Sequence, residues 1–322
     1  MFKDRYFVGK HAPFLHNGSS LAARNWNVIL AAMPAVVFGI LQYGAPALGV
    51  TALSISSAMI WETIMKRLLR RPHGVLNGEA ALIGLLLAML MPATAPWWVV
   101  VIGTFVAIVI GKEIYGGTGC NPFNPVLVAM AVLMLSWEGI LDFEKALVNY
   151  DMDFTMLTPL AAMKNFGADS AEAYAITDML IGRQAGGIGS TFGIGLLAGG
   201  VYLIAKGIVR WEIPVSFLAG VFFTALVFKT AAPDAYGPPL LHLVTGYTLI
   251  AAFFLAPEDS SSPVNLVPMI IYGAGAGFLT ILIRNIGGFV DGCVFAILMM
   301  NVANPLIDKI RPRALGKGIK HA

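Results

Sequence analysis

Ten apolar runs follow one another along this chain, over residues 26–43, 46–65, 77–92, 95–111, 123–137, 188–205, 213–229, 239–256, 266–283 and 288–305. A helix of about 20 apolar residues crosses a hydrocarbon core of about 30 Å, and several of these runs reach that length. Composition agrees: 57% of the 322 residues are hydrophobic and 12% charged, whereas a soluble domain carries about a quarter charged residues. Mean hydropathy is +0.77. The expected fold class is an all-α polytopic membrane protein with about ten transmembrane helices. The fifth run is short and proline-capped, so a partial or tilted helix is expected there. The first 24 residues carry bases but no compact apolar segment, and no cleavable leader is expected among them.

Lysine and arginine set the expected orientation. With a cytoplasmic N-terminus and ten alternating spans, 16 of the 21 Lys and Arg residues fall on the cytoplasmic side and five (Lys145, Lys164, Arg183, Lys229, Arg284) outside. The positive-inside rule favours this arrangement over its mirror image, with both termini cytoplasmic. The net charge of +3 is then a topology signal, and no nucleic-acid partner is expected.

A polar knot, Lys112-Glu-Ile-Tyr-Gly-Gly-Thr-Gly-Cys-Asn-Pro-Phe-Asn-Pro125, lies between the fourth and fifth runs. Prolines remove backbone donors and glycines admit unusual dihedrals, so a lipid-facing helix cannot contain it. Such backbone is tolerated at membrane depth only under protein cover or beside a polar cavity. Asn121 and Asn124 either hold a polar ligand there or cap broken helix ends.

Residues 138–186 form the one large extramembrane segment, with eight acids against three bases. Tyr150, Phe154, Leu157, Leu160 and Phe166 among those charges argue for an ordered loop. The halves on either side look related: Asn77-Gly78-Glu79 parallels Thr245-Gly246-Tyr247, and Lys112 before Gly116-Gly117 parallels Arg284 before Gly287-Gly288. Five spans separate the copies, so the expectation is two inverted five-helix repeats with broken helices. The domain division is 1–137 (tail and first repeat), 138–187 (extracytoplasmic loop) and 188–322 (second repeat and cytoplasmic tail).

The stretch Gly111-Lys-Glu-Ile-Tyr-Gly-Gly-Thr-Gly-Cys-Asn-Pro-Phe-Asn-Pro125 closely resembles the corresponding segment of the RnfD/NqrB family of membrane subunits. So do Pro92-Ala-Thr-Ala-Pro-Trp-Trp-Val-Val-Val101, Arg210-Trp-Glu-Ile-Pro-Val-Ser-Phe-Leu218, Asp291-Gly-Cys-Val-Phe-Ala-Ile-Leu298 and Pro305-Leu-Ile-Asp-Lys-Ile-Arg-Pro-Arg313. The resemblance implies membership of an Rnf complex of the cell inner membrane, which passes electrons between ferredoxin and NAD and couples this to Na⁺ or H⁺ movement. It implies partner subunits A, B, C, E and G. It also implies FMN joined through a phosphoester to a threonine of the outer loop. The matching stretch is Thr155-Met-Leu-Thr-Pro-Leu160, which makes Thr158 the anchor. Two departures stand out: Leu157 replaces the usual alanine, and Met152 replaces an acid, although Asp151 and Asp153 flank it. The nearby acids would repel a free phosphate, so a covalent bond would hold what electrostatics would not. Without the resemblance, Thr158-Pro159 reads as the N-cap and first residue of a surface helix. The same resemblance implies a second, non-covalent riboflavin, with Asn121 and Asn124 as its candidate contacts. The glycine-rich stretch 186–191 is another candidate flavin contact, with small-residue helix packing as the simpler reading.

Three further features bound the chemistry. Glu62, Glu79 and Asp291 fall at or within spans, where a charge costs roughly 2.5–3.5 kcal/mol and is therefore paired or functional; Glu79 is expected to pair with a base of the 66–71 cluster. Cys120 and Cys293 stand alone, too few for a four-thiolate cluster, and read as small buried side chains. No glycine fingerprint for a dinucleotide follows a strand, so NAD chemistry is expected on another subunit. The alternative function is a non-redox solute channel on the same scaffold, which would have no use for the Thr158 loop. No catalytic or metal-ligating residue is assigned.

Overall fold

A computed structural model describes residues 20–71, 77–147, 150, 154 and 157–310. All regular structure among them is helical. The first half contains α1 (Leu21–Tyr43), α2 (Ala45–Leu68), α3 (Glu79–Leu90), α4 (Trp97–Phe105) and α5 (Pro125–Ser136). The connecting loop holds α6 (Glu138–Leu141), α7 (Phe143–Ala146), α8 (Pro159–Phe166) and α9 (Ile176–Ile181). The second half holds α10 (Gly193–Ala205), α11 (Glu212–Ala231), α12 (Pro239–Val244), α13 (Thr248–Ile250), α14 (Leu266–Ile286) and α15 (Cys293–Ile307). Two stretches are π-helical, Val106–Glu113 continuing α4 and Ala251–Leu255 continuing α13.

Four helices, α1, α2, α11 and α14, are long and apolar enough to cross a membrane individually. Their 20–24 residues rise about 30–36 Å at 1.5 Å per residue. The other apolar helices are shorter: α3 and α5 have 12 residues, or about 18 Å. Such helices end inside the bilayer, where each terminal carbonyl needs a donor from the protein. At the end of α3 the donors are non-local. Tyr247 Oη donates to the Leu90 carbonyl at 2.7 Å, Ile188 N to Met91 at 3.0 Å and Gly189 N to Met89 at 3.0 Å.

Loop contacts sort the chain into two ends. At one end Arg24 bonds Asp259, Asn25 donates to the Asn77 carbonyl, Thr118 to Glu79, Arg210 to the Val264 carbonyl and Val264 N to Asp308. At the other, Thr94 donates to the Ala146 carbonyl, Tyr150 to Tyr43, Ala168 N to Asp234 and Lys164 to Gly287 and Phe289. The first end gathers the connections expected in the cytoplasm; the second carries 138–187.

Two bases counted as loop charges lie inside the protein. Lys112 is 0% exposed and Arg284 3%. Removing one from each side leaves 15 bases against four, so the asymmetry survives.

The paired glycines seen in the sequence have matching roles. Gly78 (φ 72°) immediately precedes α3, and Gly246 (φ 61°) sits in the gap between α12 and α13. A left-handed residue stops one helical segment and re-aims the next, a conformation open to glycine at little cost.

Candidate functional site

Thr158 begins α8 as the sequence suggests. Its backbone is extended (φ −66°, ψ 139°), its Oγ1 accepts from Ala161 N at 3.4 Å, and Pro159 takes the first helical position. Proline has no N–H, so the helix presents the Leu160 and Ala161 amides beside the Thr158 hydroxyl. Amides and helix dipole together make this a favourable place for an anion. Thr158 also lines a cavity of about 410 Å³ at the loop end. The glycine-rich stretch 186–191 lines it too, through Gly186, Ser190 and Thr191. That stretch is non-helical and buried, ahead of α10, so small-residue helix packing does not describe it. Gln184 ties it down, its Nε2 lying 3.1–3.2 Å from the carbonyls of Met179, Thr191 and Val244. Phe143, Tyr247 and Phe289 give the cavity aromatic walls, and Phe143 stands edge-on to Tyr247 with centroids 6.2 Å apart. Thr155, Met156 and the 151–153 triplet lie outside the described residues, as do the terminal segments 1–19 and 311–322 with their bases.

The inner end of the cavity is an ion pair. Asp291 lines it, and Arg284 lies 3.1 Å behind Asp291. Arg284 also donates to the His242 carbonyl (3.0 Å), the Thr245 carbonyl (3.4 Å) and Thr248 Oγ1 (2.8 Å). These groups bracket the break between α12 and α13, so one guanidinium supplies the donors that the interrupted helix lacks. Asp291 accepts in turn from Tyr247 N at 2.6 Å and Cys293 N at 3.0 Å, fastening the starts of α13 and α15 together. A side chain on Gly246 would run into Asp291 and Arg284.

The opposite end holds a second buried network. Lys112 Nζ lies 2.7 Å from Glu62, 3.0 Å from Glu79 and 3.9 Å from Glu113. Lys66 joins Glu62 at 2.8 Å, and Arg71 reaches Glu113 at 3.5 Å. Three acids meet three bases, so the cluster is neutral. The partner of Glu79 is therefore Lys112, not a member of the 66–71 cluster. Lys112 comes from the π-helical stretch and points inward although it sits beside the polar knot.

In the knot, Asn124 caps α5: its Oδ1 accepts from Val126 N at 2.9 Å, and its Nδ2 donates to the Leu255 carbonyl at 2.9 Å. Asn121 donates to the Phe123 carbonyl (2.9 Å) and to Glu258 (3.2 Å), and accepts from Ser260 (2.7 Å). Asn124 also borders a smaller pocket of about 160 Å³. Cys293 is buried, but Cys120 is exposed at the edge of the knot, contrary to the expectation of two buried thiols.

Residues 8–316 match the model of the NQR2, RnfD, RnfE family. The chain belongs to this family. It is 36% identical to the D subunit of the Na⁺-translocating ferredoxin:NAD⁺ oxidoreductase complex of Acetobacterium woodii, over 92% of this chain and 91% of the relative. It is also 36% identical to the D subunit of the proton-translocating ferredoxin:NAD⁺ oxidoreductase complex of Clostridium ljungdahlii, over 95% of both chains. The D subunit of the ion-translocating oxidoreductase complex of Halorhodospira halophila is 33% identical over 90% of each. Two relatives at equal identity are named for different ions, so similarity does not select the ion for this member of the family.

Sequence reasoning missed two features of this family member's cavity. Gln184 and Lys164 carry no motif, and only the fold shows what their side chains reach. Arg284 directly follows the apolar run 266–283 and reads as an outside base, whereas the helix continues to Ile286 and carries it into the interior.

Proposed function

We propose that this chain is the flavin-carrying membrane component of an Rnf-type complex, with FMN esterified to Thr158 and its ring in the loop-end cavity. The chain is a subunit of an ion-translocating oxidoreductase. The observation that carries the flavin reading is the position of Thr158: a helix N-cap hydroxyl at the wall of a 410 Å³ cavity. Small-molecule sites usually measure about 300–1,000 Å³ and are largely apolar with a few fixed polar groups. The residues present fit the group. Leu160 offers an amide to a phosphate, Phe143, Tyr247 and Phe289 offer aromatic surface, and Gln184 and Asp291 are fixed polar groups on the wall. FMN bound there would supply exchange of one or two electrons.

The chain's own part is to hold and to shield. The α8 N-terminus stabilises the phosphate charge despite the surrounding acids. Lys164, at the other end of α8, donates to the Gly287 and Phe289 carbonyls at 2.7 Å each and so straps the helix across the cavity. The Arg284–Asp291 pair closes the inner end. Electrons reach and leave this chain through its partners, taken to be subunits A, B, C, E and G. The cavity lies on the extracytoplasmic side of the inner membrane, and ion movement accompanies electron transfer. A riboflavin at Asn121 and Asn124 has less support: both amides are engaged by the protein, and the 160 Å³ pocket beside Asn124 is small for a tricyclic ring.

In-gel ultraviolet fluorescence of the denatured protein should show a band near 34 kDa. Mass spectrometry should place an FMN-sized adduct on Thr158, and Thr158→Val should remove both signals without preventing assembly. A dark band, or an adduct on Thr155 or Thr191, would refute the assignment. A dark band in the wild-type protein would favour the channel alternative.

A further inference from the structure

Among the described residues, one carboxylate oxygen on the cavity wall has no hydrogen-bond partner. Glu144, in α7, lines the cavity together with Thr158, and its Oε1 is buried without a hydrogen-bond partner. Its backbone N–H donates to Asp142 at 3.1 Å, which caps α7 and sets a second carboxylate beside it. The charged and titratable groups around it are Asp142 and Lys145 on the same turn, Tyr174 from the loop, and Glu138 and Asp291 along the wall. Lys145 is exposed and bonded to Asp142 at 3.2 Å, while Asp291 is neutralised by Arg284. Among the described residues, Glu144 has no cation bonded to it. Burial first, then the Asp142 charge, push its carboxyl above the ordinary range, against a smaller pull from Lys145. Tyr174 is raised by burial and then by Glu144, and its hydroxyl donates at 3.0 Å to the carbonyl of Leu157, the residue before Thr158.

We propose that Glu144 is the proton-exchanging group of this cavity, binding a proton when negative charge enters the bound flavin and releasing it when that charge leaves. The proposal rests on the flavin reading of Thr158. One electron arrives from a one-electron carrier in a partner subunit, an iron–sulfur or flavin centre. One proton from water at the loop end bonds to Glu144 Oε1, so the charge of the cavity is unchanged. Both steps reverse on reoxidation, and the O–H bond is the only one made or broken on the protein. Charges in a partly dry cavity act on one another more strongly than in water, which gives the electron its hold on the carboxyl.

The test is a redox titration of the covalent flavin in the purified complex, from mildly acid to mildly alkaline pH. The wild-type potential should fall more steeply with pH across a window above the ordinary glutamate range, where reduction binds one extra proton. Glu144→Gln should remove that window and leave the flavin's own pH dependence. Asp142→Asn should move the window to lower pH without removing it, because asparagine keeps the helix cap but takes away the neighbouring charge. Mass spectrometry of each variant confirms the Thr158 adduct before titration. An adduct-bearing Glu144→Gln complex with the wild-type profile overturns the proposal, as does loss of the window in Asp142→Asn alone. Absence of the adduct from the wild-type protein instead overturns the flavin reading on which it stands.

Discussion

Lys112→Met is the perturbation that most directly tests the buried network at the basic end. The substitution nearly preserves side-chain length and apolar volume, so what it removes is one charge and its hydrogen bonds. Glu62 and Glu79 then lose a cation at 2.7 and 3.0 Å, and the cluster passes from three acids against three bases to three against two. At an effective dielectric of about 20, each contact is worth roughly 5–6 kcal/mol of Coulomb energy, offset by the cost of desolvating the ions. The net loss on breaking a buried pair is about 3–5 kcal/mol, far above the 0–1 kcal/mol of an exposed one. Adding Glu79→Gln restores neutrality and leaves the Glu62–Lys66 pair intact, so the double variant should regain at least half of the loss. Glu62→Gln also restores neutrality but strands Lys66, and should rescue less. Equilibrium unfolding of the detergent-solubilised protein measures the wild type, the three single variants and the two double variants. A loss below about 1 kcal/mol for Lys112→Met, or strict additivity in the double variant, would refute a buried, mutually dependent cluster.

Gly246→Ala should destabilise the protein by more than the roughly 1–2 kcal/mol of left-handed strain, because the new methyl group also meets Asp291 and Arg284; the same unfolding assay reads it, and a loss within about 0.5 kcal/mol would show that the helix break is not fixed by that pair. For sidedness, an impermeant maleimide should label Asp169→Cys on intact cells but not the exposed native Cys120, while Cys293 is buried and stays silent in both. Labelling of Cys120 instead would place the Thr158 cavity in the cytoplasm and remove any need for electrons to cross the membrane to reach a flavin there.

Local signals survived folding well in this chain. Thr158-Pro159 reads as N-cap and first helical residue and is, and of the two readings open for Asn124 the structure shows the cap, at the start of α5; both motifs satisfy nearby amides and depend little on distant packing. The long apolar helices were equally legible, since length and composition decide them. What escaped was the destination of charges. Lys112 beside a polar knot looks like a loop base, yet the π-helical stretch carries it inward to acids 33 and 50 residues away in sequence (112 − 79 and 112 − 62). The stretch 186–191 suggested helix packing because glycines suit it. Its glycines instead let bare backbone reach the end of α3, where Ile188 and Gly189 donate to Met91 and Met89.

The two buried bases solve one problem with different chemistry. Each comes from the helix that precedes a glycine pair, and each reaches a helix that starts after a left-handed glycine. Lysine offers a compact charge with three donors, which suits Glu62 and Glu79 converging on one point. Arginine offers five donors in a fixed plane, which suits the dispersed set at 242, 245, 248 and 291. Only the second network touches the cavity, through Asp291. Charge entering that cavity therefore acts on Asp291, which lines it beside Gly246 and Tyr247 of the break, and Asp291 already holds Tyr247 N, Cys293 N and Arg284. For electron arrival to move the break, the oxidised and reduced states must differ in how strongly they favour two arrangements of that pair, since a ligand without differential energy shifts nothing. A proton taken up by Glu144 would cancel most of that difference. Its removal in Glu144→Gln should then leave the full electron charge acting on Asp291, which places the carboxyl that screens the cavity in opposition to the ion pair that could sense it.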